Sequence, residues 1–275
     1  NRHLNQPNQL KNPRPNQNIG VYLDSSLIDL TQAKISWRVN GSEIESGTGK
    51  RNFETRLGAI GKETVISISI VTSSYGTLSK EIKINPTSVD LLYEANTYTP
   101  PFFKGKALPS SESSVTVLAL PTFKTRSGST VPTKDLIFTW KKDGQVDGRN
   151  SGLAKSSYTF NLGRLPEDTP EIEVLVNYPE QALNGYAYLL LASIDPEIVF
   201  YENNPLSGVI LDKALLGETN LLKGEINVIA YPYFFSGKNK SSSNFEYKWS
   251  INREVVDNIP KNQGNLTLRK PEGGK

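Results

Sequence analysis

Three tryptophans recur at nearly even spacing along this 275-residue chain. Trp37, Trp140 and Trp249 are separated by 103 and 109 residues, and each stands three residues before an Asn or Asp. Self-similarity at a fixed period is the sequence signature of a repeated structural unit. Because a period of about 100 residues fits one β-sandwich, the spacing predicts three copies of one β domain.

The turns after the tryptophans support this register. Asn40-Gly41 and Asp143-Gly144 are strong two-residue hairpin signals, because both positions of each pair tolerate positive φ. The third copy has Asn252-Arg253 and is expected to turn less cleanly. The tryptophans themselves are predicted to be core residues and not sugar-stacking platforms.

Apolar and polar residues alternate with a period of two through most of the chain. Ile66, Ile68 and Ile70, for example, are separated by serines. This pattern is typical of half-buried strands in antiparallel sheets, and no helical stretch longer than about two turns is convincing. The sequence therefore predicts an all-β fold of three tandem immunoglobulin-like β-sandwiches.

Two joints that contain proline separate the copies. Ile84-Asn-Pro86 precedes the second copy and Ile194-Asp-Pro196 precedes the third. Both joints are too short to act as flexible linkers, so a semi-rigid rod is expected. The predicted divisions are an extended leader at 1–18 and immunoglobulin-like domains at 19–87, 88–197 and 198–275.

The third copy is short. Only 26 residues follow Trp249, whereas 56 residues separate Trp140 from Pro196. The third sandwich is therefore expected to lack its final strands, which leaves strand edges open. Either the chain is truncated, or another chain supplies a strand. Segment 4–10 is a weak strand donor because it lacks alternating large apolar residues.

Composition and charge disfavour several kinds of chemistry. The net charge is +3, with basic and acidic residues interspersed, which does not suggest a nucleic-acid footprint. No cysteine is present, and the single histidine is His3 in the polar leader, so thiolate or imidazole catalysis is not expected. No apolar run approaches the roughly 20 residues of a membrane span, so an anchor would lie outside the chain. The absence of methionine, including at position 1, predicts a processed or trimmed product.

Oxygen ligands near the joints leave calcium open as an alternative. The candidates are Glu94, Asn96, Asp195, Glu202 and Asn203. No ordered acidic loop motif accompanies them, so solvated acids and turn-forming asparagines are the preferred interpretation. No cofactor is predicted.

The aromatic stretch at 98–103 is the most suggestive surface candidate. Tyr98, Phe102 and Phe103 stand on either side of two prolines that interrupt the strand. The phenylalanines are expected either to cap a sandwich and pack on the neighbouring domain or to project as an apolar patch that contacts a partner. Packing is the preferred interpretation, and partner contact is the alternative.

The tryptophan units, the joints and segment 89–109 together resemble tandem immunoglobulin-like or PKD-like domains of bacterial surface proteins. In particular, they are similar to uncharacterised three-domain exported proteins of candidate-phylum bacteria. The resemblance covers residues 14–270 and is most specific in segment 89–109. It implies an exported, cell-surface β rod, commonly followed by a membrane anchor, and it implies no activity or functional residue.

The sequence thus predicts a non-catalytic extracellular protein that serves as a cell-surface spacer, adhesin stalk or filament subunit. A protein partner, or self-association through strand edges of the third domain, is the expected kind of contact. The alternatives are a carbohydrate- or peptide-binding module and a non-catalytic arm of a larger surface enzyme.

Overall fold

The computed structural model describes residues 13–165, 169–217, 224–237, 245–257 and 259–270. Among these residues the helical elements are two three-residue 3-10 turns at Thr133–Asp135 and Pro179–Gln181, and the other named elements are strands. The fold prediction is confirmed: the chain is all-β, with three tandem immunoglobulin-like sandwiches of which the third is incomplete.

The first sandwich has six strands. They are β1 (Asn18–Tyr22), β2 (Lys34–Val39), β3 (Ser42–Thr48), β4 (Asn52–Arg56), β5 (Thr64–Thr72) and β6 (Gly76–Ile84). β1 pairs with β4, and the other four form a sheet in the order β3-β2-β5-β6. Trp37 on β2 is fully buried between the sheets and stacks on Phe53 of β4 at 4.9 Å between ring centroids. The alternating isoleucines of β5 contribute Ile66 and Ile68 to the same core.

The second sandwich repeats this plan with additional strands. They are β7 (Ser88–Ala95), β8 (Ser114–Thr122), β9 (Ile137–Lys142), β10 (Gln145–Val146), β11 (Gly152–Leu153), β12 (Ser157–Asn161), β13 (Glu171–Tyr178) and β14 (Leu183–Leu190). One sheet has the order β12-β8-β7 and the other β10-β9-β13-β14, with β11 also pairing with β9. Trp140 on β9 is fully buried and stacks on Tyr158 of β12 at 5.5 Å, so it corresponds to Trp37.

The third sandwich has one large sheet and one short hairpin. Its strands are β15 (Glu197–Asn204), β16 (Gly208–Ala214), β17 (Glu225–Tyr233), β18 (Ser250–Ile251), β19 (Glu254–Val255) and β20 (Asn265–Arg269). The order of the sheet is β16-β15-β17-β20, and β18 pairs only with β19 among the described residues. The second sheet of this sandwich is therefore represented by a two-stranded hairpin, where the other two copies have at least four strands.

All three predicted hairpin turns form with positive φ at both central residues. The angles are 50° and 86° at Asn40-Gly41, and 51° and 76° at Asp143-Gly144. Asn252 and Arg253 adopt 49° and 72°, so the third turn has the same backbone in spite of its arginine. The prediction of a poorer turn is wrong for the backbone. The flanking strands are nevertheless only two residues long.

The chain forms two compact units, and each draws on several segments. The first comprises Asn1–Leu92, Leu118–Tyr158 and Glu171–Leu189; the second comprises Tyr93–Val117, Thr159–Pro170 and Leu190–Lys275. The predicted domain boundaries near 87 and 197 fall beside the starts of β7 and β15 and stay predictions. Most of the predicted leader, with His3 and segment 4–10, lies outside the described residues, and its last part turns at Asn16, where φ is 59°.

Candidate interaction surfaces

Tyr98 is a buried residue that joins the backbone of the segment after β7 to the end of β17. Its N–H donates to the carbonyl of Phe235 at 2.9 Å, and its carbonyl accepts from the N–H of Phe234 at 2.7 Å. Its ring meets Phe245 edge to face, with centroids 4.8 Å apart. Because both the backbone groups and the ring are engaged, this end of the segment is fixed to the third sandwich.

Phe102 and Phe103 are half-buried and pack on tyrosines of the third sandwich. Phe102 meets Tyr231 edge to face at 4.8 Å and Tyr201 at 6.1 Å. Phe103 meets Tyr233 and Phe234, each at 5.6 Å. Such perpendicular pairs contribute about 0.5–1.5 kcal/mol each beyond the area that they bury. The structure thus brings the three sequence candidates together at one joint, and their contact with an outside partner stays a prediction.

We call this cluster the aromatic joint. It comprises Tyr98, Phe102, Phe103, Tyr201, Tyr231, Tyr233 and Phe234. The hydroxyls of Tyr201 and Tyr233 lie 3.2 Å apart within hydrogen-bond distance. Burial, with the Tyr201 hydrogen bond, raises the pKa of Tyr233, so this phenol stays protonated at neutral pH.

The sequence argument missed the tyrosine half of the aromatic joint, although one signal for it was present. Tyr231 and Tyr233 are two residues apart on β17, so they project from the same face of the sheet. Tyr201 on β15 lies opposite Ile229, which shares that face. An aromatic pair at this spacing on a strand marks a face that needs a cover.

Polar contacts make a second joint inside the first unit. The Asn85 side-chain amide donates to Glu63 Oε2 at 3.1 Å, and Arg126 Nη2 lies 3.8 Å from the same oxygen. The buried Thr87 hydroxyl donates to the carbonyl of Asn184 at 2.5 Å. The exposed ion pair contributes at most about 1 kcal/mol, whereas loss of the buried hydrogen bond leaves a polar group unpaired. These contacts run from the loops and the end of the first sandwich to the second.

The oxygen ligands considered for calcium are placed on different elements. Glu94 is on β7, Asp195 precedes β15, and Asn203 is on β15. The Asn203 amide donates to the Asn227 side chain at 2.9 Å, and that amide in turn donates to the Thr267 hydroxyl at 2.8 Å. In the parts of the chain that the structure describes, no group of three or more His, Cys, Asp or Glu side chains is arranged to hold a metal ion.

The inner face of the third sandwich is incompletely covered by the described residues. Trp249 is only half-buried there, so the prediction of a core tryptophan is correct for Trp37 and Trp140 but wrong for this copy. Its ring lies 5.9 Å from that of Phe200, which is 37% exposed, and Ile198 is 53% exposed. The physical reason is that hairpin β18–β19 covers less of the sheet than a four-stranded sheet does.

No helix among the described residues is long and apolar enough to cross a membrane. No family model matches the chain, and no curated protein matches it.

Among solved structures, the chain is similar to arrays of small β domains. The fibronectin(III)-like modules of Clostridium thermocellum CbhA show 15% identity and a TM-score of 0.29, over 66% of this chain and 87% of that one. The central fibronectin-III array of RIM-binding protein shows 12% identity and a TM-score of 0.21, over 79% and 75%. Immunoglobulin domains 1–4 of Sidekick-1 show 10% identity and a TM-score of 0.22, over 96% and 65%. With such low scores, the description of this chain as tandem immunoglobulin-like sandwiches rests on its own strand pairing and core.

Proposed function

We propose that this chain is a non-catalytic structural and interaction protein of a cell surface, in which the sandwiches act as a spacer. The observation that carries the proposal is the aromatic joint. A flexible linker would leave neighbouring sandwiches free to reorient, whereas here Phe102 and Phe103 each contact two aromatic rings of the third sandwich. The backbone bonds of Tyr98 hold the same segment in place. A spacer needs such fixed joints in order to present a contact surface at a set distance.

The polar joint supports the same function. Thr87 and Asn85 lie between β6 and β7, where a linker would be expected, and both side chains are hydrogen-bonded. The resemblance of segment 89–109 to exported tandem proteins supports a location at the cell surface. Protease treatment of intact cells that produce the protein tests this location, because a surface protein is digested while cytosolic markers persist.

Pulsed electron paramagnetic resonance tests the fixed joint directly. The chain has no cysteine, so two engineered cysteines can be spin-labelled without background. Leu165 and Leu206 are suitable because they are 70% and 98% exposed. We expect Leu165→Cys with Leu206→Cys to give one narrow distance distribution, which broadens when Phe102→Ala and Phe103→Ala are added. Leu27→Ala, an exposed truncation in the first sandwich, is the control and leaves the distribution unchanged.

A broad distribution in the labelled parent protein contradicts the spacer proposal, because the joint would then be mobile without any mutation. An unchanged narrow distribution after both phenylalanines are truncated also contradicts it. In that case the aromatic joint is not what fixes the distance.

Assembly into a filament is a second candidate, favoured by the open face of the third sandwich. β20 pairs only with β17 among the described residues, so one of its edges is available to a strand from a second copy. Leu266 and Leu268 alternate with polar residues on this strand, as strand addition requires. Sedimentation velocity over a wide protein concentration range tests this: we expect larger species that Leu266→Asp abolishes. A monomer at every concentration rules this candidate out.

A further inference from the structure

A patch of tyrosines lies on the outer face of the sheet β10-β9-β13-β14 in the second sandwich. Tyr186 and Tyr188 are two residues apart on β14 and therefore share a face. Their ring centroids are 6.3 Å apart, and the ring planes differ by only 29°. Tyr188 is 58% exposed, which is unusual for so large a ring on the face of a sheet.

The corresponding strand of the first sandwich shows that the fold does not need these rings. β6 occupies the same place as β14, at the edge of the four-stranded sheet and paired with the strand before it. Its outer face carries Ser79 and Glu81, which lie beside Ser69 and Ser67 of β5. The cores of the two copies are built alike, but only the second copy exposes aromatic rings at this place. The tyrosines therefore call for an explanation other than folding.

Hydrogen-bonding groups lie directly beside the two rings. The Tyr186 hydroxyl donates to Glu173 Oε2 at 3.0 Å. Glu173 on β13 stands opposite Lys141 on β9, and Lys141 stands opposite Val146 on β10. The face thus combines two aromatic rings with one carboxylate and one ammonium group, all on regular strands. Sites built on strands hold their side chains more firmly than loops do.

We propose that Tyr186 and Tyr188 form a binding platform for a neutral oligosaccharide. A sugar ring has a face of C–H groups that packs on an aromatic ring, and its hydroxyls both donate and accept hydrogen bonds. Glu173 accepts such bonds and Lys141 donates them. Because the two charges are opposite and adjacent, the platform has no preference for an acidic or a basic ligand.

The charges also explain why a sugar fits this face better than a protein does. The centre of a protein–protein interface is typically depleted of charged residues, because their desolvation is costly. Here Lys141 and Glu173 lie beside the rings and not at a distant rim. Small-ligand sites, by contrast, typically combine aromatic side chains with a few polar groups that fix orientation. This binding function is independent of the spacer role.

Native affinity electrophoresis tests the platform with defined probes. The full chain is run through gels that contain hydroxyethylcellulose, galactomannan, xylan or dextran, and through a gel that contains the polyanion alginate. We expect at least one neutral polysaccharide to retard the protein. Tyr188→Ala should weaken this binding at least tenfold, whereas Tyr188→Phe, which keeps the ring, should retain most of it. Tyr75→Ala is the matched control, since Tyr75 is 60% exposed in the turn after β5.

Three results overturn the proposal. The first is the absence of retardation by every neutral probe, and the second is retardation that Tyr188→Ala leaves intact. The third is self-association of the parent protein that Tyr188→Ala abolishes, because the face would then bind a second copy and not a sugar. Circular dichroism of each variant shows whether the fold is kept.

Discussion

The indole N–H of Trp249 donates to the backbone carbonyl of Gln263 at 3.2 Å. The same interaction occurs in the other two copies, where Trp37 donates to the carbonyl of Lys50 at 2.9 Å and Trp140 to that of Lys155 at 2.8 Å. In each copy the acceptor lies 13 to 15 residues after the tryptophan. The indole thus ties its own strand to the chain that returns towards the opposite sheet, which is why the residue recurs with the repeat.

The tryptophan hydrogen bond predicts unequal effects of the same substitution in different copies. Trp37→Phe and Trp140→Phe should each lower the free energy of unfolding by about 2–3 kcal/mol, because a buried carbonyl loses its donor and a gap is left. Trp249→Phe should cost about 1 kcal/mol, since this residue is half-buried and water can replace the donor. Urea denaturation followed by circular dichroism measures the differences, and equal losses at all three sites contradict this account.

The turn at Asn252-Arg253 predicts a stabilising substitution. Arg253 has φ of 72°, whereas the equivalent turns place Gly41 and Gly144 at this position. A residue with a side chain loses about 1–2 kcal/mol in this conformation, and glycine does not. We expect Arg253→Gly to protect the amide hydrogens of hairpin β18–β19 from exchange, and Gly144→Arg to destabilise the second sandwich by about 1 kcal/mol. Hydrogen exchange that is unchanged or faster in Arg253→Gly contradicts the prediction.

The three-sandwich fold could be predicted from sequence because its signals are local. The alternation of Ile66, Ile68 and Ile70 with serines fixes which face of β5 is buried, and Asn-Gly or Asp-Gly fixes the register of a hairpin. The partners of Phe102 could not be found in this way. They lie about 100 residues further along the chain, and no periodicity relates a loop to the face of a distant sheet. The burial of Trp249 was misjudged for a related reason, since it depends on strands opposite it and not on its own strand.

Gly185 on β14 predicts a strongly position-dependent effect of adding one methyl group. A Cβ at this residue would lie 2.7 Å from Val89 Cγ2 and 2.9 Å from two ring carbons of Phe123. Since all three residues are buried, the core must shift, and we expect Gly185→Ala to cost about 1–3 kcal/mol. Gly148→Ala is the control, because nothing lies within 4 Å of its Cβ position and the loss of chain entropy favours alanine. Thermal unfolding of the two variants should move in opposite directions, and a neutral Gly185→Ala contradicts the packing argument.

The hydrogen bond between Tyr186 and Glu173 predicts how stability changes in alkaline solution. Burial, followed by the hydrogen bond to the Glu173 carboxylate, raises the pKa of Tyr186 to about 12. In the unfolded chain a tyrosine ionises near pH 10, so between pH 10 and 12 the unfolded state binds fewer protons than the folded state. The contribution of this residue to stability is therefore complete below pH 10 and is lost as the pH rises towards 12. We expect Tyr186→Phe to show a shallower fall in the free energy of unfolding over this range than the parent protein. Glu173→Gln should lie between the two, because it removes the carboxylate but keeps the phenol. Urea denaturation at fixed pH values from 9 to 12 measures the slopes, and identical slopes for the parent and Tyr186→Phe would show that this phenol ionises alike in both states.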